Sequence, residues 1–78
     1  MNKLLLNSRT RNFLLNKRNQ MGITQRKLAE LLFVHRSLVS KIETGKRELD
    51  THEMLKFASV LNFTSIEYYE FIANGFNE

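Results

Sequence analysis

The 78-residue sequence predicts an all-α fold, a compact domain of five short helices. Three observations carry that expectation. Apolar residues recur at spacings of three and four, which places them on one face of a helix, and no stretch shows a convincing strand alternation. The chain has no proline, and its three glycines each fall just past an apolar-periodic stretch, where a helix is expected to stop. Cap-forming residues stand where several of those stretches begin. The length fits one domain, close to the lower size at which a chain buries a core unaided.

Residues 1–7 are expected to form a short arm or an extra helical turn ahead of a single domain over 8–78. Either Leu4, Leu5 and Leu6 pack on the core while Lys3, Arg9 and Arg11 stay solvated, or these cations follow a polyanion. The packing alternative is favoured. The first helix is expected over about 8–21, with Phe13 and Leu14 inward, and ends at Gly22. Thr24 caps the second, about 25–32, whose inner residues are Leu28, Ala29 and Leu32. The third, about 36–44, buries Val39 and Ile42 and stops at Gly45. Asp50-Thr51-His52-Glu53 has the form of a capping box. It opens a fourth helix with Met54, Leu55, Phe57, Ala58 and Leu61 inward. A second such box, Thr64-Ser65-Ile66-Glu67, opens a fifth helix that ends near Asn74-Gly75.

The rest of the chain is organised around residues 25–43, QRKLAELLFVHRSLVSKIE. Leu28, Leu31 and Leu32 form one apolar stripe and Leu38, Val39 and Ile42 a second, with only a few residues between them. Two helices joined so closely must meet at a steep angle, and Ala29 is small enough to let their axes approach. This is the helix-turn-helix arrangement, whose second helix enters the major groove of DNA. The outer face of that helix carries Arg36, Ser37, Ser40 and Lys41, hydroxyls and cations able to reach base edges or phosphates.

Charge agrees with a polyanionic partner. The net charge of +4 conceals an asymmetry: residues 1–47 hold eleven Lys/Arg against Glu30 and Glu43, while residues 48–78 hold only Lys56 against six carboxylates. A basic half beside an acidic half fits one face turned to nucleic acid and another turned away, although membrane surfaces and acidic proteins attract the same cations. With no cysteine, disulfides, thiolate metal sites and cysteine nucleophiles are excluded, and a cytoplasmic location fits. The N-terminal MNKLLLN is too short for a secretory signal, and no stretch reaches the roughly 20 apolar residues of a membrane span. His35 and His52 have no partner at metal or triad spacing, and no glycine-rich phosphate loop is present. No enzyme activity, cofactor or metal is expected.

Gly22, Thr24-Gln25, Leu28-Ala29-Glu30, Val34, Ser37, Val39-Ser40, Ile42-Glu43, Gly45 and Arg47 together resemble the lambda-repressor-like helix-turn-helix family, the Cro/C1 and XRE-type regulators. The resemblance spans roughly residues 12–72. It implies that Arg36, Ser37, Ser40 and Lys41 face the bases and that Gln25 fixes register on a phosphate. Thr24, His35, Lys46 and Arg47 join Gln25 as expected phosphate contacts, and Arg18 with Glu43 as an internal ion pair. Three positions depart from the family pattern. Phe33 replaces the usual glycine of the turn, so a strained or reshaped turn is expected. His35 replaces a small hydroxyl cap, with an expected loss of roughly 1 kcal/mol. Leu49 stands where proline is common.

One recognition helix reads only a few base pairs, so a homodimer on an inverted-repeat operator is expected. The fifth helix offers two stripes, Ile66, Tyr69, Ala73 and Phe76 on one, Tyr68, Phe71, Ile72 and Gly75 on the other. One should close the core and the other meet a second copy; Tyr68, Phe71, Ile72 and Phe76 are the residues assigned to the dimer. The function expected is transcriptional regulation of bacterial or phage type, acting on RNA polymerase access and controlled by protein concentration or a partner protein. Control of restriction–modification genes, an antitoxin that grips a toxin, and a protein-interaction module are the alternatives.

Overall fold

The structure, a computed structural model, describes residues 3–75, and side chains over 8–74. Five helices follow one another: α1 (Lys3–Gln20), α2 (Gln25–Leu32), α3 (Arg36–Glu43), α4 (Thr51–Leu61) and α5 (Ser65–Gly75). There is no strand among the described residues. The first helix begins five residues earlier than the pattern suggested, so residues 3–7 continue α1. The packing expected of Leu4, Leu5 and Leu6 lies outside the described side chains, as does Phe76.

Helix ends follow local chemistry. Thr24 Oγ1 accepts from the Lys27 N–H at 3.0 Å, and Asp50 and Glu53 complete their capping box in both directions. At α5 only half of the second box forms. Thr64 Oγ1 accepts from the Glu67 N–H, but the Glu67 carboxylate reaches Lys17 of α1 instead of turning back. Four helices stop on a left-handed residue: Gly22, Phe33, Gly45 and Asn62. After α3 the Gly45 N–H returns to the Ile42 carbonyl and the Lys46 N–H to that of Lys41, the paired closure of a Schellman turn.

The core gathers Phe13 and Leu14 from α1, Leu28, Ala29 and Leu32 from α2, Val39 and Ile42 from α3, and Phe57 and Leu61 from α4. Phe63, in the turn before α5, joins it. Leu55, expected inside, is 65% exposed, and Leu31 of the first apolar stripe is 40% exposed.

The face of α5 is the main correction. Ile72 is buried, and Phe13 of α1 packs its ring against those of Tyr68 and Phe71, centroids 5.3 and 5.2 Å apart. The Tyr68 hydroxyl meets Thr10 Oγ1 at 2.6 Å. Tyr68, Phe71 and Ile72 therefore pack towards this domain's own core, Ile72 buried and the two rings partly so. Ile66 and Tyr69 form the outward stripe, 69% and 71% exposed. The inward face is chosen by Phe13 and Phe63, whose edge-to-face pair, 4.8 Å between centroids, accepts the Tyr68 and Phe71 rings.

Candidate nucleic-acid interface

Helix α3 is divided by its sequence into two faces. Val39 and Ile42 are fully buried and Leu38 partly so, which anchors the helix against α2 and α1. On the side of the helix turned away from these, Arg36, Ser37 and Lys41 are exposed and Ser40 half-buried. The four residues expected to meet bases therefore share the solvent face. Lys46 and Arg47 follow in the exposed loop, although Arg47 Nη1 is held by Glu53 at 2.7 Å.

The turn that aims α3 keeps the backbone the family pattern calls for, despite Phe33. Its φ of 60° and ψ of 43° are those of a left-handed residue, and the Val34 N–H still closes on the Ala29 carbonyl at 3.0 Å. The turn is therefore strained and not reshaped. Its aromatic ring is 93% exposed, so no packing offsets that strain.

His35 corrects a second expectation. No cap is lost, because the imidazole supplies one: Nδ1 accepts from the Ser37 N–H at 3.1 Å. An accepting Nδ1 in a neutral ring places the proton on Nε2, free to donate outward. The Ser37 hydroxyl lies 2.9 Å from the same Nδ1 and is the donor where the two are bonded.

Behind these groups, one polar node ties three helices. Glu43 stands at the C-terminal end of α3, where the helix dipole is adverse to a carboxylate. Arg18 of α1 offsets this with two bonds, Nε to Oε2 at 2.7 Å and Nη2 to Oε1 at 3.0 Å. The same guanidinium donates to the Ile23 carbonyl at 2.8 Å, fixing the chain's exit from α1. Gln25 Nε2 donates to Glu43 at 2.9 Å, so the first residue of α2 is anchored to the last of α3. Gln25 thus spends one amide N–H inside the protein, a role that sequence reasoning missed.

The helix-turn-helix family of Cro/C1, XRE-type regulators has a family model that matches residues 14–69, spanning α2, α3 and α4 and parts of α1 and α5. The chain belongs to this family. A Cro/C1-type helix-turn-helix domain is a DNA-binding regulatory domain, and the protein is a DNA-binding regulator of that type. Comparison with curated proteins and with solved structures gave no match. Among the described residues, no helix is long and apolar enough to cross a membrane. Nor do three or more His, Cys, Asp or Glu gather there at a metal-binding distance.

Proposed function

We propose that the protein is a sequence-specific transcriptional regulator that inserts α3 into the major groove of an inverted-repeat operator as a homodimer. The observation that carries this reading is the solvent face of α3, where Arg36, Ser37, Ser40 and Lys41 stand together over a helix anchored by Val39 and Ile42. Arg36 and Lys41 donate to guanine O6 and N7 or to phosphate. Ser37, its proton directed to His35, accepts from the amino group of cytosine or adenine. Thr24, Gln25, His35, Lys46 and Arg47 hold the flanking backbone through hydroxyl, amide, Nε2–H, ammonium and guanidinium groups.

The second copy meets this one through the outward stripe of α5. Ile66 and Tyr69 are large, apolar and exposed on a helix whose other face is already committed to the core. Apolar surface of this kind suits an isologous contact, in which the same patch serves both partners.

Selection from a randomised duplex library with the full chain at ~0.1 M salt tests the reading, because non-specific phosphate binding is partly screened there. Enrichment of an inverted repeat with half-sites about one helical turn apart is expected. Enrichment of a single half-site would remove the dimer. No enrichment at all would remove sequence reading by α3 and turn the search to a protein partner for α5.

A further inference from the structure

We infer that a cleft between α1 and the loop after α3 seats a DNA backbone phosphate, with Arg11 as its principal ligand. The inference rests on the DNA-binding reading above and extends the interface to a helix outside the helix-turn-helix. The cleft has a volume of about 340 Å³. Its floor is apolar, from Leu14 and Ile42, and its charged lining comes from Arg11, Lys46, Arg47 and one carboxylate, Glu48.

Arg11 and Gly45 are brought together by the packing of α1 on α3. The guanidinium lies so close over Gly45 that a Cβ there would collide with Nη1 and lie 3.3 Å from Cζ. Gly45 also holds φ at 80°, so the position favours glycine twice over, for the turn and for the approach of Arg11. Nη2 of Arg11 leans on the Ser8 hydroxyl at 3.4 Å, and among the described residues the guanidinium has no carboxylate partner. Arg47, by contrast, has committed Nη1 to Glu53.

The N–H groups of Gly45, Lys46 and Arg47 all return to carbonyls of Ile42 and Lys41, so none of these three is open to an anion. Side chains supply the attraction, Arg11 from α1 and Lys46 from the loop. The cleft opens at the C-terminal end of α3, where a groove-bound helix is flanked by the sugar–phosphate backbone. A phosphodiester oxygen held between a planar guanidinium and an ammonium suits that position.

The test is the salt dependence of duplex binding, followed by fluorescence anisotropy with two unrelated labelled duplexes between about 0.05 and 0.2 M salt. Removing one phosphate contact lowers the log–log slope by about 0.9, which is roughly eightfold in affinity at 0.1 M relative to 1 M. Arg11→Gln should show that loss equally on both duplexes, with a thermal melt confirming that it is folded. Arg11→Lys should stay near the wild-type slope, and Gly45→Ala, which displaces the guanidinium without removing it, should move towards Arg11→Gln.

A folded Arg11→Gln with an unchanged slope would overturn the phosphate seat while leaving duplex binding by the wild type intact. A wild type that binds neither duplex would overturn the seat and the DNA reading together. Calorimetric titration with AMP should give no binding below millimolar concentration. Micromolar binding, lost in Arg11→Gln, would overturn the assignment to DNA and give the cleft to a free phosphorylated effector.

Discussion

Phe33→Gly should make the protein more stable, and the structure supplies the terms. Phe33 sits at φ 60°, where an L-residue loses roughly 1–2 kcal/mol to the clash of Cβ with its own backbone. Glycine escapes that clash but gives up about 0.5–1 kcal/mol through the greater freedom of its unfolded chain. Since the ring is 93% exposed, its removal costs little burial. The net gain is about 0.5–1 kcal/mol, or a rise of about 2–8 °C in Tm for a domain of this size. Urea and thermal unfolding followed by circular dichroism would measure it. Phe33→Ala is the decisive companion, because alanine keeps the Cβ and the strain and should gain almost nothing. Equal stability of the alanine and glycine variants, or a glycine variant less stable than wild type, would refute the assignment of strain to this φ. Asn62, the other non-glycine residue in the left-handed region, should gain less from the same change, since asparagine tolerates it better.

Four further outcomes are expected. Arg18→Met leaves Glu43 largely buried with only Gln25 as partner, and should cost about 3–5 kcal/mol in chemical denaturation. Pairing it with Glu43→Leu should recover most of that loss. His35→Ala removes the α3 cap and should cost about 1 kcal/mol, whereas His35→Asn, able to accept the same N–H, should stay within a few tenths of wild type. Arg36→Ala should lower discrimination at one base position by about 1–3 kcal/mol in competition binding, and an unaltered preference would assign Arg36 to phosphate. Tyr69→Glu should shift sedimentation towards monomer at micromolar concentration, whereas a variant still dimeric would move the contact away from α5.

Much of the architecture was legible because it is written in local punctuation. Gly22, Gly45, Thr24 and the Asp50–Glu53 box mark helix ends through chemistry confined to a few neighbouring residues, and the structure uses them as expected. The solvent face of α3 followed from the 3.6-residue period alone. What escaped depends on groups distant in sequence. Both stripes of α5 are apolar, and only the position of Phe13 and Phe63 decides which turns inward. The capping power of His35 depended on a ring rotamer that brings Nδ1 to Ser37, which residue preferences do not encode. Gln25 and Arg11 each have chemistry that suggests phosphate, but their internal neighbours, Glu43 and Gly45, lie 18 and 34 residues away along the chain.

The seam between α1 and α5 gives the proposed dimer a mechanical property. Thr10 with Tyr68 and Lys17 with Glu67 hold the two helices together on either side of the Phe13 ring, and Arg18 links α1 onward to α3. A contact made on the outer surface of α5 is thus connected to the reading helix through a braced frame, much as the hinge of a caliper is connected to its jaws. In such a dimer the distance between the two reading helices is set by the seam and not by the bases. Operators with one base pair added or removed between half-sites would be rejected by geometry, even with every half-site base intact. Loosening the seam, as Thr10→Ala would, should widen the range of accepted spacings and leave the preferred half-site sequence unchanged.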